Sequence, residues 1–186
     1  MVSKTRDTQY VEQISRYDTH NTLLALWQAI EERKTPDWPQ GKALEYLVLR
    51  AFELEGAQVS WPFSVLVAGE ELEQIDGAVY TDGLACLIEC KDEARPVNIE
   101  PIAKLRNQLL RRPSATVGII FASQGFTEPA RVLAGFVAPQ TILLWGGAEI
   151  FYALQHHYMR RGLVAKYQQC IERALPDYNI KEEDIS

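Results

Sequence analysis

The chain has 186 residues, 47% of them hydrophobic, with 19 Lys and Arg against 25 Asp and Glu. That size and apolar content suit one globular domain with small terminal additions and exclude wholesale disorder. The net charge of −6 excludes a protein that coats nucleic acid indiscriminately, and no run of 18 or more apolar residues marks a membrane span.

Residues 1–18 are polar and poorly periodic, which predicts a loose arm, and the start MVSKTRDTQYVEQ lacks a signal-peptide core. Leu23, Leu26, Trp27 and Ile30 then fall at helical spacing behind Asn21, a good N-cap, and Pro36 and Pro39 close that helix. A second helix is expected over 40–55. Leu44, Leu47, Val48, Ala51 and Leu54 make its apolar face, and Gly56 stands where a C-terminal cap belongs. The pattern turns to strand over 57–68 and 72–80, rich in β-branched and aromatic residues. Thr81-Asp82-Gly83 is a tight hairpin turn leading into a third strand over 84–91. A helix over 99–112 stops at Pro113, and a buried strand over 115–122 follows. A helix over 128–137, a strand over 141–145, helical sequence to about 175 and an acidic tail complete the chain. The order is α-α-β-β-β-α-β-α-β-α. It predicts an α/β fold with a mixed central sheet flanked by helices. The expected organisation is an N-terminal arm and helix over 1–39, a core over 40–152, and a C-terminal helical extension with its tail over 153–186.

The chemistry concentrates in Gln74-Ile75-Asp76-Gly77 and Ile88-Glu89-Cys90-Lys91, on the two sides of the hairpin. If Asp82-Gly83 is a two-residue turn, Thr81 pairs with Leu84, and counting back along both strands sets Asp76 opposite Glu89. Directly opposed residues have Cβ atoms roughly 4.5–5.5 Å apart. Lys91, two residues beyond Glu89, shares its face. Opposed like charges need neutralising, and a divalent cation does that well. Mg²⁺ accepts one or two carboxylates with waters and a phosphate oxygen, and it can polarise a phosphodiester and activate water. On spacing alone, a solvated hairpin with charges on its exposed face explains the same residues. Glu89 and Lys91, however, end the run Leu84-Ala85-Cys86-Leu87-Ile88, which has the character of an interior strand, and polar residues there more often line a site.

At this point the sequence resembles the PD-(D/E)xK restriction-endonuclease-like nucleases, most closely their Mrr-like catalytic domain. Gly41-Lys42-Ala43-Leu44-Glu45 followed by Gly56 is similar to the family's first core helix. Ile75-Asp76-Gly77 and Ile88-Glu89-Cys90-Lys91 are similar to its catalytic motifs. The stretch from Ala122 to Ala130, ASQGFTEPA, resembles the turn that opens the next helix, and Ile142 to Gly147 resembles the last core strand. The resemblance covers about 40–152. It implies an α-β-β-β-α-β core and metal-dependent cleavage of phosphodiester bonds with Mg²⁺ or Mn²⁺. Carried over by position, Asp76 and Glu89 are metal ligands with the backbone carbonyl of Cys90. Lys91 is the catalytic lysine, and Glu45 is an auxiliary carboxylate on metal-bound water. Gln108 matches a glutamine of some relatives, but Arg112 stands where they carry tyrosine, which separates this chain from that pattern.

Lys104, Arg106, Arg111 and Arg112, with Gln108, lie on or just after the helix at 99–112. They suit contact with a phosphate backbone, although a solvated helix face explains them equally. Ser123-Gln124-Gly125 reads more readily as a plain loop than as a phosphate cradle. His156 and His157, adjacent on a helix, point different ways and read as surface or packing residues. Cys86 and Cys90 lie on the strand side opposite Glu89 as core thiols, and Cys170 gives neither a disulfide framework nor a zinc spacing. The reducing cytoplasm is the compartment this implies. Trp27, Trp38, Trp61 and Trp145 read as core anchors.

The reading favoured by a complete Asp76, Glu89 and Lys91 set is a DNA endonuclease of restriction, defence or repair, with RNA the lesser substrate. Two others stay open: a catalytically silent nucleic-acid-binding or assembly module, and a regulatory domain whose charged hairpin binds a protein. The 40 N-terminal residues are too few for a winged helix, so specificity would come from DNA structure, a dimer partner or another protein. With no P-loop, any motor would be a separate protein. Cutting both strands with one site per chain would suit a homodimer. Charge is unevenly spread: residues 1–93 carry a balance of −9, 94–175 of +6 and 176–186 of −3. A basic second half thus follows the carboxylate hairpin.

Overall fold

The computed structural model describes residues 2–5 and 8–185. Its centre is a five-stranded mixed sheet in the order β2 (Gln58–Ser60), β5 (Gly77–Thr81), β6 (Leu84–Lys91), β7 (Thr116–Ala122) and β8 (Thr141–Gly146). The β2/β5 and β5/β6 pairs are antiparallel, whereas β6/β7 and β7/β8 are parallel. A smaller antiparallel sheet holds β1 (Val2–Thr5), β3 (Phe63–Val67) and β4 (Glu70–Ile75).

Alternating side chains of the central strands feed two cores. Cys86, Ile88, Cys90, Val117, Ile119, Phe121, Leu143 and Trp145 face the first. It is closed by α1 (Thr8–Ser15), α2 (His20–Glu31), α3 (Lys42–Leu54), α6 (Gly147–His156) and α7 (Met159–Arg173). Leu87, Ile120, Ala122, Ile142 and Leu144 face the second, under α4 (Glu100–Leu109) and α5 (Glu128–Ala134). Glu89, in step with Leu87, therefore looks toward α4. A close fit sets that helix down: a Cβ at Gly118 of β7 would lie 2.8 Å from Leu105 Cδ2 of α4.

The alternation of strands and helices, the hairpin turn and the helix over 42–54 follow the sequence reading, with five corrections. The strand expected over 57–68 breaks after Ser60, because Pro62 has no N–H for a ladder and its neighbours turn β3 into the second sheet. The strand expected over 72–80 breaks at Asp76 for a different reason. Gly77 adopts φ +155°, and a Cβ there would meet Leu49 Cδ1 at 2.7 Å and Ser60 O at 3.0 Å. Only glycine lets the chain cross from one sheet to the other so close to α3. The meander is thus β2, β5 and β6 with the hairpin β3–β4 inserted. Third, the arm at 1–18 is not loose: β1 pairs with β3, and α1 buries Ile14 completely. Arg6 and Asp7 lie outside the described residues. The first full helix begins at His20 rather than after Asn21, with a Thr19–Thr22 capping box.

The last correction is the tail. Ile180 is fully buried in the first core, and Leu144 N–H on the outer edge of β8 donates to Pro176 O at 2.9 Å. The side chain of Lys166, wholly buried, reaches Glu149 Oε1 at 2.7 Å and the carbonyl of Tyr178. Ile180 N–H donates to the same Glu149 oxygen at 3.2 Å. Its acidic composition hid a strap that covers a sheet edge. Ile180→Ala should lower stability by about 2–5 kcal/mol, the usual loss for emptying a packed aliphatic site. A urea unfolding midpoint equal to that of the parent chain would show the strap to be dispensable.

Candidate active site

The site forms where β5 begins and β6 ends. The hairpin register is the one expected: Thr81 pairs with Leu84 and Gly77 with Ile88. Asp82 and Gly83 take positive φ values of 51° and 79°, as a two-residue turn requires. The ladder stops one residue before Asp76. Asp76 therefore stands off Glu89 instead of pairing with it, and its Oδ2 accepts a hydrogen bond from Cys90 N–H at 2.8 Å. The N–H and C=O of one strand residue point to the same side. Since Cys90 N–H faces Asp76, its carbonyl faces that opening too.

Glu89 is 1% exposed. Its Oε1 lies 2.7 Å from Lys91 Nζ, and both its oxygens lie 2.9 Å from Lys104 Nζ on α4. Glu45 comes from the first turn of α3, on the other side of the sheet, with its Oε2 2.7 Å from Lys42 Nζ. Its charge is felt at both Asp76 and Cys90. The structure thus brings Asp76, Glu89, Lys91 and Glu45 to one end of the sheet. Lys104, expected among phosphate-contacting residues, is seated on Glu89 in this structure. Its partner was not legible because the two are separated by the βα crossover that lays α4 over β6.

Desolvation dominates the electrostatics. Burial, then the neighbouring Glu89 and Glu45 carboxylates, push Asp76 up to about 7, against the pull of the Cys90 N–H and Lys104. Burial also opposes charge on Lys91, but Glu89, hydrogen-bonded to it, and Asp76 outweigh that and raise its pKa above the ordinary lysine value. Burial pushes the Cys86 thiol up to about 12, and burial with the nearby carboxylates drives Cys90 well above its usual range. Burial thus disfavours the thiolate, the nucleophilic form, at both.

Two carboxylates and a strand-end carbonyl are hard oxygen donors, and burial, with the neighbouring carboxylates adding to it, raises the Asp76 pKa to about 7. That chemistry fits a divalent cation such as Mg²⁺, which keeps much of its shell as water and phosphate oxygen. Among the described residues no three His, Cys, Asp or Glu side chains converge as a ready-made metal cage. The fit is to a shared site completed by other oxygens.

The remaining candidates scatter. Arg111 and Arg112 both bind the buried Glu73 of β4, the latter with Nη2 2.6 Å from Oε2. Gln108 is buried, and its Nε2 donates to Gln74 O at 3.3 Å. Arg106 is exposed on α4. Two clefts flank Lys104. One of about 420 Å³ is lined by Gln74, Asn107, Gln108 and Arg111, and one of about 290 Å³ by Lys91, Glu93, Asn98 and Glu100. Ser123 N–H and Gly125 N–H donate to Lys91 O and Ala122 O, so that loop is a connector. His157 stacks on His20 at 3.7 Å between ring centroids.

The sequence matches the restriction endonuclease family, in its Mrr catalytic domain, over residues 39–154. No curated protein matches it. Among solved structures it is similar to the Vibrio cholerae protein VC1899, at 13% identity over 86% of this chain and 58% of that one, TM-score 0.52. A protein of unknown function, AF1548, aligns at 22% identity over 61% of this chain and 65% of its own, TM-score 0.49. MspJI restriction endonuclease, solved with a 27-mer oligonucleotide, aligns at 19% identity over 76% of this chain and 31% of its own, TM-score 0.41. This chain thus spans less than two thirds of each solved chain. Among the described residues no helix is long and apolar enough to cross a membrane.

The raised Asp76 pKa has a definite sign. The folded chain holds this proton more tightly than the unfolded one, whose value is 3.8. The contribution of Asp76 to stability is therefore greatest below about pH 4, falls as pH rises to about 7, and is level above. Asp76→Asn keeps the acceptor for Cys90 N–H and removes the charge. It should raise stability at pH 8 by a few kcal/mol, about 4 at most, with the gain vanishing near pH 4. Coincident melting temperatures at pH 8 would contradict the strained carboxylate.

Proposed function

The chain belongs to the restriction endonuclease family, in its Mrr catalytic branch, and from that premise we propose that it is a divalent-metal-dependent endonuclease acting on DNA. The observation that carries the reading is the convergence of Asp76, Glu89 and Lys91 at one end of the sheet, on the face that α4 overlooks. Asp76, Glu89 and the Cys90 carbonyl are the groups that would hold Mg²⁺ or Mn²⁺. When bound, such an ion supplies Lewis acidity toward a phosphoryl oxygen and acidifies its water.

The chain's own residues divide the remaining work. Lys91, held cationic by Glu89, is suited to stabilising charge that develops on the phosphoryl group. Its raised pKa makes it a poor proton acceptor in the metal-free site. Glu45, whose charge acts on Asp76, would orient water and receive a proton. Arg106 and the clefts beside α4 are the places for a phosphate backbone, with specificity from DNA structure, a second copy or a separate protein. Restriction, defence and repair are the settings that suit such an enzyme.

Supercoiled plasmid, single-stranded DNA and RNA, each with Mg²⁺ or Mn²⁺, test the reading. Cleavage is expected on DNA, and Asp76→Ala and Lys91→Ala should each lower it by at least about a hundredfold. Equal rates in the parent and both variants would mean that another protein cuts. A folded chain that binds but never cuts would favour the silent binding module.

A further inference from the structure

Lys104 is doubly engaged: its ammonium spans both oxygens of Glu89 at 2.9 Å, while Lys91 holds one of them at 2.7 Å. A carboxylate that is 1% exposed has thus been given two cations. The two differ in freedom. The Lys91 side chain is 26% exposed, whereas that of Lys104, on α4, is 48% exposed. The two clefts beside α4 share Lys104 as a wall, so a detached ammonium has space in either. A divalent ion needs the same Glu89 oxygens, and three cations gathered on one carboxylate repel one another strongly.

We propose that Lys104 is an internal counter-ion of Glu89, displaced when a divalent cation binds, and that the freed ammonium then engages the phosphate backbone in the clefts beside α4. This rests on the metal-dependent reading above and adds a coupling to it. The cation and the polyanion assist one another because each favours the same position of Lys104. Without a cation, Lys104 keeps the buried carboxylate neutralised and withholds one positive charge from the substrate face.

The coupling is read without turnover. Mn²⁺ binding is followed by calorimetry or electron paramagnetic resonance on the parent chain, Lys104→Met, Lys104→Gln and Asp76→Asn. Binding of a short DNA duplex is followed with and without Ca²⁺. Lys104→Met and Lys104→Gln should bind Mn²⁺ about tenfold more tightly or better, since the competing ammonium is gone. The Ca²⁺-dependent gain in duplex affinity shown by the parent should be lost in both. Lys104→Gln retains a hydrogen-bond donor for Glu89, so a folding defect confined to the methionine variant leaves the glutamine variant to decide. Mn²⁺ affinity that falls with Asp76→Asn but is unchanged or weaker in both Lys104 variants would overturn the displacement and spare the metal site. Absence of Mn²⁺ binding in every chain would overturn both.

Discussion

The arrangement of this protein depends on the buried Glu89 carboxylate. Taking a carboxylate out of water costs several kcal/mol unless charge and hydrogen bonds replace the solvent. Lys91 and Lys104 supply that replacement from two elements, so one acid fastens the end of β6 to α4. The same device recurs elsewhere. Glu73 ties β4 to the turn after α4 through Arg111 and Arg112. Glu149 ties α6 to Lys166 of α7 and to the C-terminal strap. Glu55 accepts the N–H groups of Met159 and Arg160, both at 2.9 Å, and so joins the end of α3 to the start of α7. At each of these junctions an acidic side chain, shielded from solvent, clamps elements that the sequence separates.

Sheet geometry explains why the site lies where it does. The parallel strands β6, β7 and β8 deliver their carboxyl ends to one rim, the usual place for ligands on such sheets. Glu89 and Lys91 are the last residues of β6 on the α4 face. Asp76 reaches the same rim from the opposite direction, because the chain kinks at Gly77 as it leaves the small sheet. The kink frees the Asp76 side chain from the ladder and turns it onto a backbone N–H. Two acids that would repel one another as a flat pair are thereby offset, with Asp76 on the Cys90 N–H and Glu89 on Lys91 and Lys104.

Net charge is a poor guide to this surface. Residues 94–175 have a strong basic balance, yet six of their ten Lys and Arg are engaged internally. Lys104 serves Glu89, Arg111 and Arg112 serve Glu73, Arg131 serves Asp177, Arg160 serves Asp82 and Lys166 serves Glu149. The basic half is therefore largely scaffold charge. What remains for a polyanion is local, which agrees with a protein that does not coat nucleic acid.

Much of the fold and half of the site could be read along the chain. Helical spacing marked α3, turn chemistry marked the Asp82-Gly83 hairpin, and the count from that turn put Asp76 near Glu89 with Lys91 beside it. These are local properties, governed by period and backbone conformation within a few residues. The sequence by itself determined the register, the residue types at the strand ends and the order of elements. Tertiary structure alone decided that β3 and β4 leave the central sheet, that the acidic tail is a buried strap, and that Lys104 rather than solvent faces Glu89. Each of those outcomes turns on contacts between segments far apart in the chain, where packing space and the cost of burying charge choose among partners that local pattern leaves equivalent.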